Sequence, residues 1–278
     1  MSKSTALPNR GILEISGVDR VSFLQGLVSN DVTKVETGCA VWAAMLTPQG
    51  KWLADFFILS DGERLLLDCE RSQIGDIIRR LARFRLRAQI ALDDRSESLF
   101  VHAAWSDATP GIEPEIIAQA PDPRLPDAGR RVIATAPLTI NATPDDWDLH
   151  RLTLGLPDGS RDLEAEKTVL LEAGFDELGG VSWSKGCYMG QELTARTKYR
   201  GLVKRRLIPI KIFGDTPAPG SAITCAGREV GTMRSVRRDT GLALLRLDAL
   251  EGELTCGGSS VAPIIPAWMK LPAQAAGK

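Results

Sequence analysis

The chain of 278 residues has only two histidines, His102 and His150, and five cysteines, no two of them closer than 30 positions. There is no CxxC and no mixed Cys/His spacing, which excludes a structural zinc site, and two isolated imidazoles exclude a His-based metal cluster. Both histidines read as structural or surface residues, so a Ser-His-Asp triad has little to draw on. Aromatic residues make up 5% of the chain, too few for an extended platform on which bases would stack. Neither sign of charge is in excess: 34 Lys plus Arg stand against 35 Asp plus Glu, a net charge of −1. That balance removes any overall pull toward nucleic acid or an anionic membrane. No apolar run approaches the ~18 residues of a membrane-spanning helix, so no membrane insertion is expected. The opening MSKSTALPNRG has neither an apolar centre nor an Arg-rich amphipathic pattern, and no cleaved targeting segment is expected there. An odd number of thiols without a secretory pattern points to a reducing compartment, read as the cytoplasm.

What is present suits a soluble fold of about two domains. GILEISG, Gly11 to Gly17, reads as a strand, followed by a helix capped by Asp19 with Val21, Phe23, Leu24, Leu27 and Val28 on one face. AVWAAMLT and WLADFFIL flank the turn PQGK, where Pro48 and Gly50 supply the chemistry of a hairpin. RLLLDCE continues the strands, and Ile74, Ile77, Ile78, Leu81 and Phe84 recur at helical spacing. RAQIALDD and SLFVHAAW resume the strands, giving an α+β N-terminal region. Residues 107–130 hold five prolines and read as a surface excursion too broken for a core element. TPDDWDLHRLTLGLP predicts a helix capped by Thr143 with Pro144 in its first turn. From Val203 short strands and Gly-containing turns take over, so a division into an α+β region over 1–202 and a C-terminal β-barrel over 203–278 is expected.

The stretch from Gly179 to Gly201, GGVSWSKGCYMGQELTARTKYRG, is the one that promises chemistry. It places a thiol and several glycines on a loop that feeds a helix N-terminus. Lys185 stands two residues from Cys187, and an ammonium that converged on the sulfur would favour the thiolate.

Lys185, Gly186, Cys187, Tyr188, Gly190, Gln191 and Glu192 together make the string KGCYMGQE, and on it the chain resembles the YgfZ family of folate-binding proteins. That family shares the fold of the glycine-cleavage aminomethyltransferase, or T-protein. GVDRVSFLQGLVSNDV, LTPQGKWLADF, FRLRAQI, LGLP and GVSWSKG extend the resemblance from Gly11 to about Leu247. It implies an aminomethyltransferase-like fold with a central hollow for tetrahydrofolate or a one-carbon derivative, closed by the C-terminal barrel. Paired donors and acceptors of a pterin suit carboxylates, for which Glu172, Asp55 and Asp68 are candidates. Arg151, Arg85 and Arg200 are candidates for the acidic tail. Within the loop the resemblance implies that Cys187 is the reactive group and Lys185 its tuner. Gly186 and Gly190 would permit a tight backbone, while Gln191 and Glu192 would hold the helix start.

The aminomethyltransferases carry an acidic pair where this chain has Ala54 and Asp55, which argues against transferase turnover. The resemblance implies instead a tetrahydrofolate-binding accessory protein for the assembly or repair of iron-sulfur proteins, and through them tRNA modification. Its partners would be iron-sulfur assembly factors or client enzymes. A single cysteine cannot hold a cluster alone, so any cluster here is bridged to a partner or transient. The rival is a tetrahydrofolate-dependent aminomethyltransferase that turns over through Asp55. Direct tRNA binding through Arg83, Arg85 and Arg87 and the run from Lys198 to Arg206 is disfavoured by the neutral charge.

Overall fold

The computed structural model describes residues 2–106 and 115–271. Fifteen strands and four α-helices of that portion form three sheets, and every neighbouring strand pair is antiparallel. The strands of the first half are β1 (Lys3–Ala6), β2 (Arg10–Ser16), β3 (Val41–Leu46), β4 (Trp52–Ser60), β5 (Leu65–Glu70), β6 (Ala91–Asp94), β7 (Phe100–Trp105), β8 (Ile116–Pro121) and β9 (Arg130–Ala134). They make a five-stranded sheet in the order β3-β4-β5-β2-β6 and a four-stranded sheet in the order β1-β7-β9-β8. The helices are α1 (Arg20–Gln25), α2 (Ile74–Ala82), α3 (Pro144–Leu154) and α4 (Gln191–Tyr199).

Both faces of the five-stranded sheet are covered, and this explains why β3, β4 and β5 read as nearly unbroken apolar runs instead of alternating. Leu13, Ile15, Phe56, Ile58, Leu65 and Leu67 pack with Leu24 of α1 and Ile74, Ile77 and Leu81 of α2. Ile12, Trp42, Phe57 and Leu66 face the other way, into a larger core shared with Val101, Ala103 and Trp105 of the second sheet. The C-terminal unit is a closed barrel, β10 (Arg205–Phe213), β11 (Ala222–Cys225), β12 (Arg228–Arg237), β13 (Thr240–Arg246), β14 (Leu254–Cys256) and β15 (Ser259–Pro263), in the order β10-β13-β12-β11-β14-β15. Closure leaves no free edge, so strands as short as the three residues of β14 are held on both sides.

Two local expectations change. The first helix is only six residues long, and the Asp19 carboxylate, instead of capping it, accepts the backbone N–H of Gln89 at 2.7 Å. The Pro-rich segment is not a mere surface excursion. Pro110 and Pro114 lie outside the described residues, but Ile116–Pro121 is an edge strand paired with β9, and Pro121 sits at its last position, where the missing N–H costs little. Just beyond it Asp122 and Arg124 are buried and paired at 2.8 Å. The helix after it forms as expected: Thr143 and Asp146 complete a capping box with Pro144 in the first turn, and Gly155 ends the helix in the left-handed region.

The barrel is latched to the rest of the chain by charge. Asp162 accepts Arg151 at 2.5 Å and the Ser235 hydroxyl of β12 at 2.6 Å, while Asp148 of α3 accepts Arg237 of β12 at 2.9 Å and Arg161 at 2.8 Å. Burial would raise the Asp148 carboxyl, but Arg151 and Arg161 hold it below the ordinary range. Asp122 is held down in the same way by Arg124 and Arg131, and Asp158 by Arg151 and Arg10. Carboxylates depressed in the folded state stabilise it fully above the ordinary value of 3.8 and lose that contribution as pH falls through their folded values. Asp55, raised by burial, works the opposite way, one carboxyl against three. The thermal midpoint is therefore expected to drop steadily as pH falls below about 4; a midpoint unchanged between mildly and strongly acidic buffer would refute this account of the latch.

Candidate functional site

The candidate site is built where the segment after α1 meets the loop from Gly179 to Gly190. Ser29 and Asn30 lace the two together. The Ser29 hydroxyl donates to the Gly180 carbonyl at 2.6 Å and its own carbonyl accepts the Ser182 N–H at 3.0 Å, while the Asn30 amide donates to Gly179 and Trp42 carbonyls at 2.7 and 2.8 Å. Gly180 has to be a glycine, because a Cβ there would stand 2.5 Å from Phe175 and 2.8 Å from Trp42, whose rings stack at 3.9 Å.

Lys185 completes the joint. Its Nζ lies 2.6 Å from the Gln25 carbonyl, 2.8 Å from that of Val28 and 2.6 Å from that of Asn30. An ammonium has three hydrogens and all three are used. The side chain is 9% exposed, and burial pushes its pKa down to about 8 against the pull of Asp31. The expectation that Lys185 tunes the Cys187 thiolate is corrected accordingly: the ammonium has no hydrogen left for the sulfur, and it acts as a clamp on the chain reversal after α1. Tyr188 lies under the loop with its ring centroid 5.3 Å from Nζ, and burial pushes its phenol up to about 12.

Cys187, between these two buried residues, is exposed. The loop thus turns its thiol to solvent while its neighbours anchor it. Gly190 adopts φ +81°, and a Cβ there would stand 2.6 Å from the Thr47 carbonyl and 2.9 Å from Gly50 Cα of the β3–β4 turn. Gly50, at φ +78°, meets the Gly190 carbonyl at 2.7 Å in the same sense. A side chain at Gly190 would thus collide with the β3–β4 turn, whereas Gly186 faces open space and no close approach requires it. Glu192 forms an exposed ion pair with Arg196 one turn along α4, and the Gln191 N–H reaches the Tyr188 carbonyl at 3.3 Å.

Of the residues assigned to folate, Asp55 and Asp68 both lie near Arg10, and Arg151 shares Asp158 with it, whereas Glu172, Arg85 and Arg200 stand elsewhere. Asp55, 3% exposed, accepts the indole N–H groups of Trp42 at 2.9 Å and Trp52 at 3.1 Å, and burial raises its carboxyl despite Arg10 and Trp42. Asp68 is fully buried between Arg10 at 2.6 Å and Arg131 at 3.2 Å. Arg151, 2% exposed, belongs to the barrel latch. Glu172 pairs with Arg205 at 3.4 Å, and Arg85 and Arg200 stand in solvent. Buried acids and guanidiniums satisfied by one another cannot turn to a pterin or its tail without leaving their partners unpaired, so Asp55, Asp68 and Arg151 fit poorly as folate contacts. Arg10, Arg124 and Arg131 instead gather round the Phe57 ring, at 5.7, 4.8 and 4.1 Å from its centroid, and occupy the middle of the large core. Sequence reading missed this cluster because its members are scattered singly; the polar SND that interrupts an apolar stretch was the one local hint of the Ser29–Asn30 joint. A cavity of about 420 Å³ opens beside Arg10, with Arg71, Arg161 and Asp158 on its wall. Among the described residues no group of three or more His, Cys, Asp or Glu is placed to hold a metal ion.

Replacing Lys185 by Met keeps the length of the stem and strands three buried carbonyls. A loss of roughly 2–4 kcal/mol in unfolding free energy is expected, together with faster reaction of Cys187 with a thiol reagent as the loop loosens. Lys185→Met that unfolds at the wild-type denaturant midpoint would show the clamp to be idle.

The C-terminal region, residues 204–271, matches the family described as CAF17, C-terminal beta-barrel domain. Among solved structures the fold is similar to the glycine cleavage system aminomethyltransferase T from Bartonella henselae, with a TM-score of 0.74, 95% of this chain and 84% of that chain covered, and 13% identity. The fold is accordingly aminomethyltransferase-like, α and β mixed, with a C-terminal six-stranded barrel. The sequence is 36% identical to the iron-sulfur cluster assembly factor IBA57 homolog, mitochondrial, of Mycosarcoma maydis, over 79% of this chain and 60% of that protein. It is 31% identical to the protein of the same name in Pyricularia oryzae, over 94% of this chain and 75% of that one. The expectation of a cytoplasmic protein is overturned by these names, which are mitochondrial. On these similarities the chain belongs to the IBA57 family.

Proposed function

We propose that this protein is an iron-sulfur cluster assembly factor whose Cys187 thiolate engages a cluster shared with a partner protein. The observation that carries the reading is an exposed thiol on a loop fixed by the Lys185 clamp, in a chain of the IBA57 family. Clusters take several thiolates, so the remaining ligands come from the partner and the cluster is cargo. On coordination the thiol proton leaves to solvent, which its exposure allows. Because the loop is already pinned, little conformational freedom is lost when it engages. The relatives' mitochondrial names support placing this chemistry in that compartment. Any effect on tRNA modification arises at one remove, through cluster-bearing enzymes that depend on the factor.

Tetrahydrofolate binding belongs to the same reading, at a different place. The cavity beside Arg10 offers Arg71 and Arg161 to a carboxylate tail. No step of the cluster chemistry is routed through it. Likeness to an aminomethyltransferase at 13% identity extends to the fold alone, and Asp55, enclosed by two indoles, is out of reach of an aminomethyl donor.

In a strain lacking the protein, Cys187→Ala is expected to fail to restore iron-sulfur enzyme activity while its unfolding free energy stays within about 0.5 kcal/mol of wild type, as for other exposed positions. Full rescue by Cys187→Ala would end the role given to the thiol. Anaerobic calorimetric titration with tetrahydrofolate is expected to give equal binding for wild type and Cys187→Ala and weaker binding for Arg71→Ala. Absence of heat with the wild type would remove folate from the account and leave the thiol untouched.

A further inference from the structure

The β3–β4 turn, α1, the end of α2 and the Cys187 loop enclose a shallow apolar groove of about 150 Å³, with Leu27, Leu53, Phe84 and Met189 in its lining and Arg80 and Arg83 at its side. The volume is too small for a cofactor-sized ligand and suits a single large aliphatic anchor. Met189 ties the groove to the thiol: only Tyr188 separates it from Cys187, so their Cα atoms lie within about 7 Å.

The segment leaving α2 lines this groove with Arg83 and Phe84 and continues past it with alternating cations and apolar side chains. Arg83, Arg85 and Arg87 are exposed, and none has a carboxylate partner among the described residues, in contrast to Arg79 and Arg80, which pair with Asp76 and Glu166. Between them Phe84 is 42% exposed and Leu86 is 92% exposed at φ +41°. A leucine in the left-handed region is strained, and at this exposure no packing within the chain compensates for it. Three unpaired guanidiniums within five positions of one another repel, and they favour an acidic surface laid against them.

We propose that this groove docks an acidic amphipathic segment of the partner protein that shares the cluster with Cys187. One of its apolar side chains enters between Phe84 and Met189, and its carboxylates lie on Arg83, Arg85 and Arg87. Aromatic and arginine anchors of this kind dominate binding at protein interfaces, and a helix laid in a groove is a common form of it. The inference rests on the reading of Cys187 as partner-facing. It differs from a membrane-binding reading because the apolar lining is concave and opens beside the thiol.

The test uses the full chain without iron or sulfide, so its outcome is independent of the cluster chemistry. The probe is a fluorescein-labelled peptide of about 14 residues, with leucine at i, i+3, i+4 and i+7 spacing and glutamate on the remaining face. Its anisotropy is expected to rise on adding the protein. Affinity should fall at least about tenfold in the variant carrying Arg83→Glu, Arg85→Glu and Arg87→Glu, and severalfold in Leu86→Ser, a change at a site too exposed to disturb folding. A peptide with lysine in place of glutamate should not bind. The proposal is overturned if the wild type ignores the acidic peptide, or if binding survives the triple charge reversal. It is also overturned if the arginines instead drive co-sedimentation with phosphatidylserine vesicles, or if Leu86→Ser dissolves a dimer of this chain. Failure here leaves the Cys187 reading standing, since complementation by Cys187→Ala judges that separately.

Discussion

One ammonium and three carbonyl oxygens join stretches of chain that lie 155 to 160 positions apart. Around that contact the rest of the site arranges itself. The carbonyls of Gln25, Val28 and Asn30 belong to a chain reversal that follows a helix too short to satisfy its own C-terminal end. Lys185 supplies the missing donors, and its flanking residues are thereby placed. A guanidinium could not do the same, since its donors form a flat fork and the three oxygens surround a point. Half of the loop is consequently rigid for a reason unrelated to the sulfur, and the sulfur profits because it stands on a fixed base while remaining in water.

The large core follows a different logic. Aminomethyltransferase-like folds are built from sheets facing one another, and in this chain the space between them holds the Phe57 ring with Arg10, Arg124 and Arg131 round it and Asp68 and Asp122 between them. Such an assembly is costly to desolvate and is worthwhile only when complete, because removing one partner strands a buried charge. Rearranging it to receive a ligand would incur that cost in full. The open space lies at its margins, at the cavity beside Arg10 and at the loop surface.

Several local features were legible in the sequence, although Asp19, which reads as a helix cap, turns instead to the Gln89 N–H. Thr143 and Pro144 announce the start of α3, Pro48 and Gly50 announce the hairpin, and the string from Lys185 to Glu192 marks the loop that carries the exposed thiol. The Pro-rich segment misled because prolines break helices and central strands, yet an edge strand ending at Pro121 tolerates them. The folate assignments misled for a related reason. Asp55, Asp68 and Arg151 have the right chemistry in isolation, but which charges cancel one another depends on contacts between residues such as Arg131 and Asp68 that are 63 positions apart. Lys185 was picked out for its nearness in sequence to Cys187, and its true partners are acceptors that no side-chain pattern reveals, since they are backbone atoms.

The back-to-back approach of Gly50 and Gly190 has a consequence for how this sequence can drift. Each glycine sits in the left-handed region and each one's missing side chain makes room for the other's backbone. A methyl group at either position forces the hairpin tip and the start of α4 apart, after which a methyl at the other meets less resistance. The two substitutions are therefore subadditive in their harm, and the pair constrains a lineage as a single site: either both positions stay bare, or the contact is abandoned and the thiol's loop has to find another support.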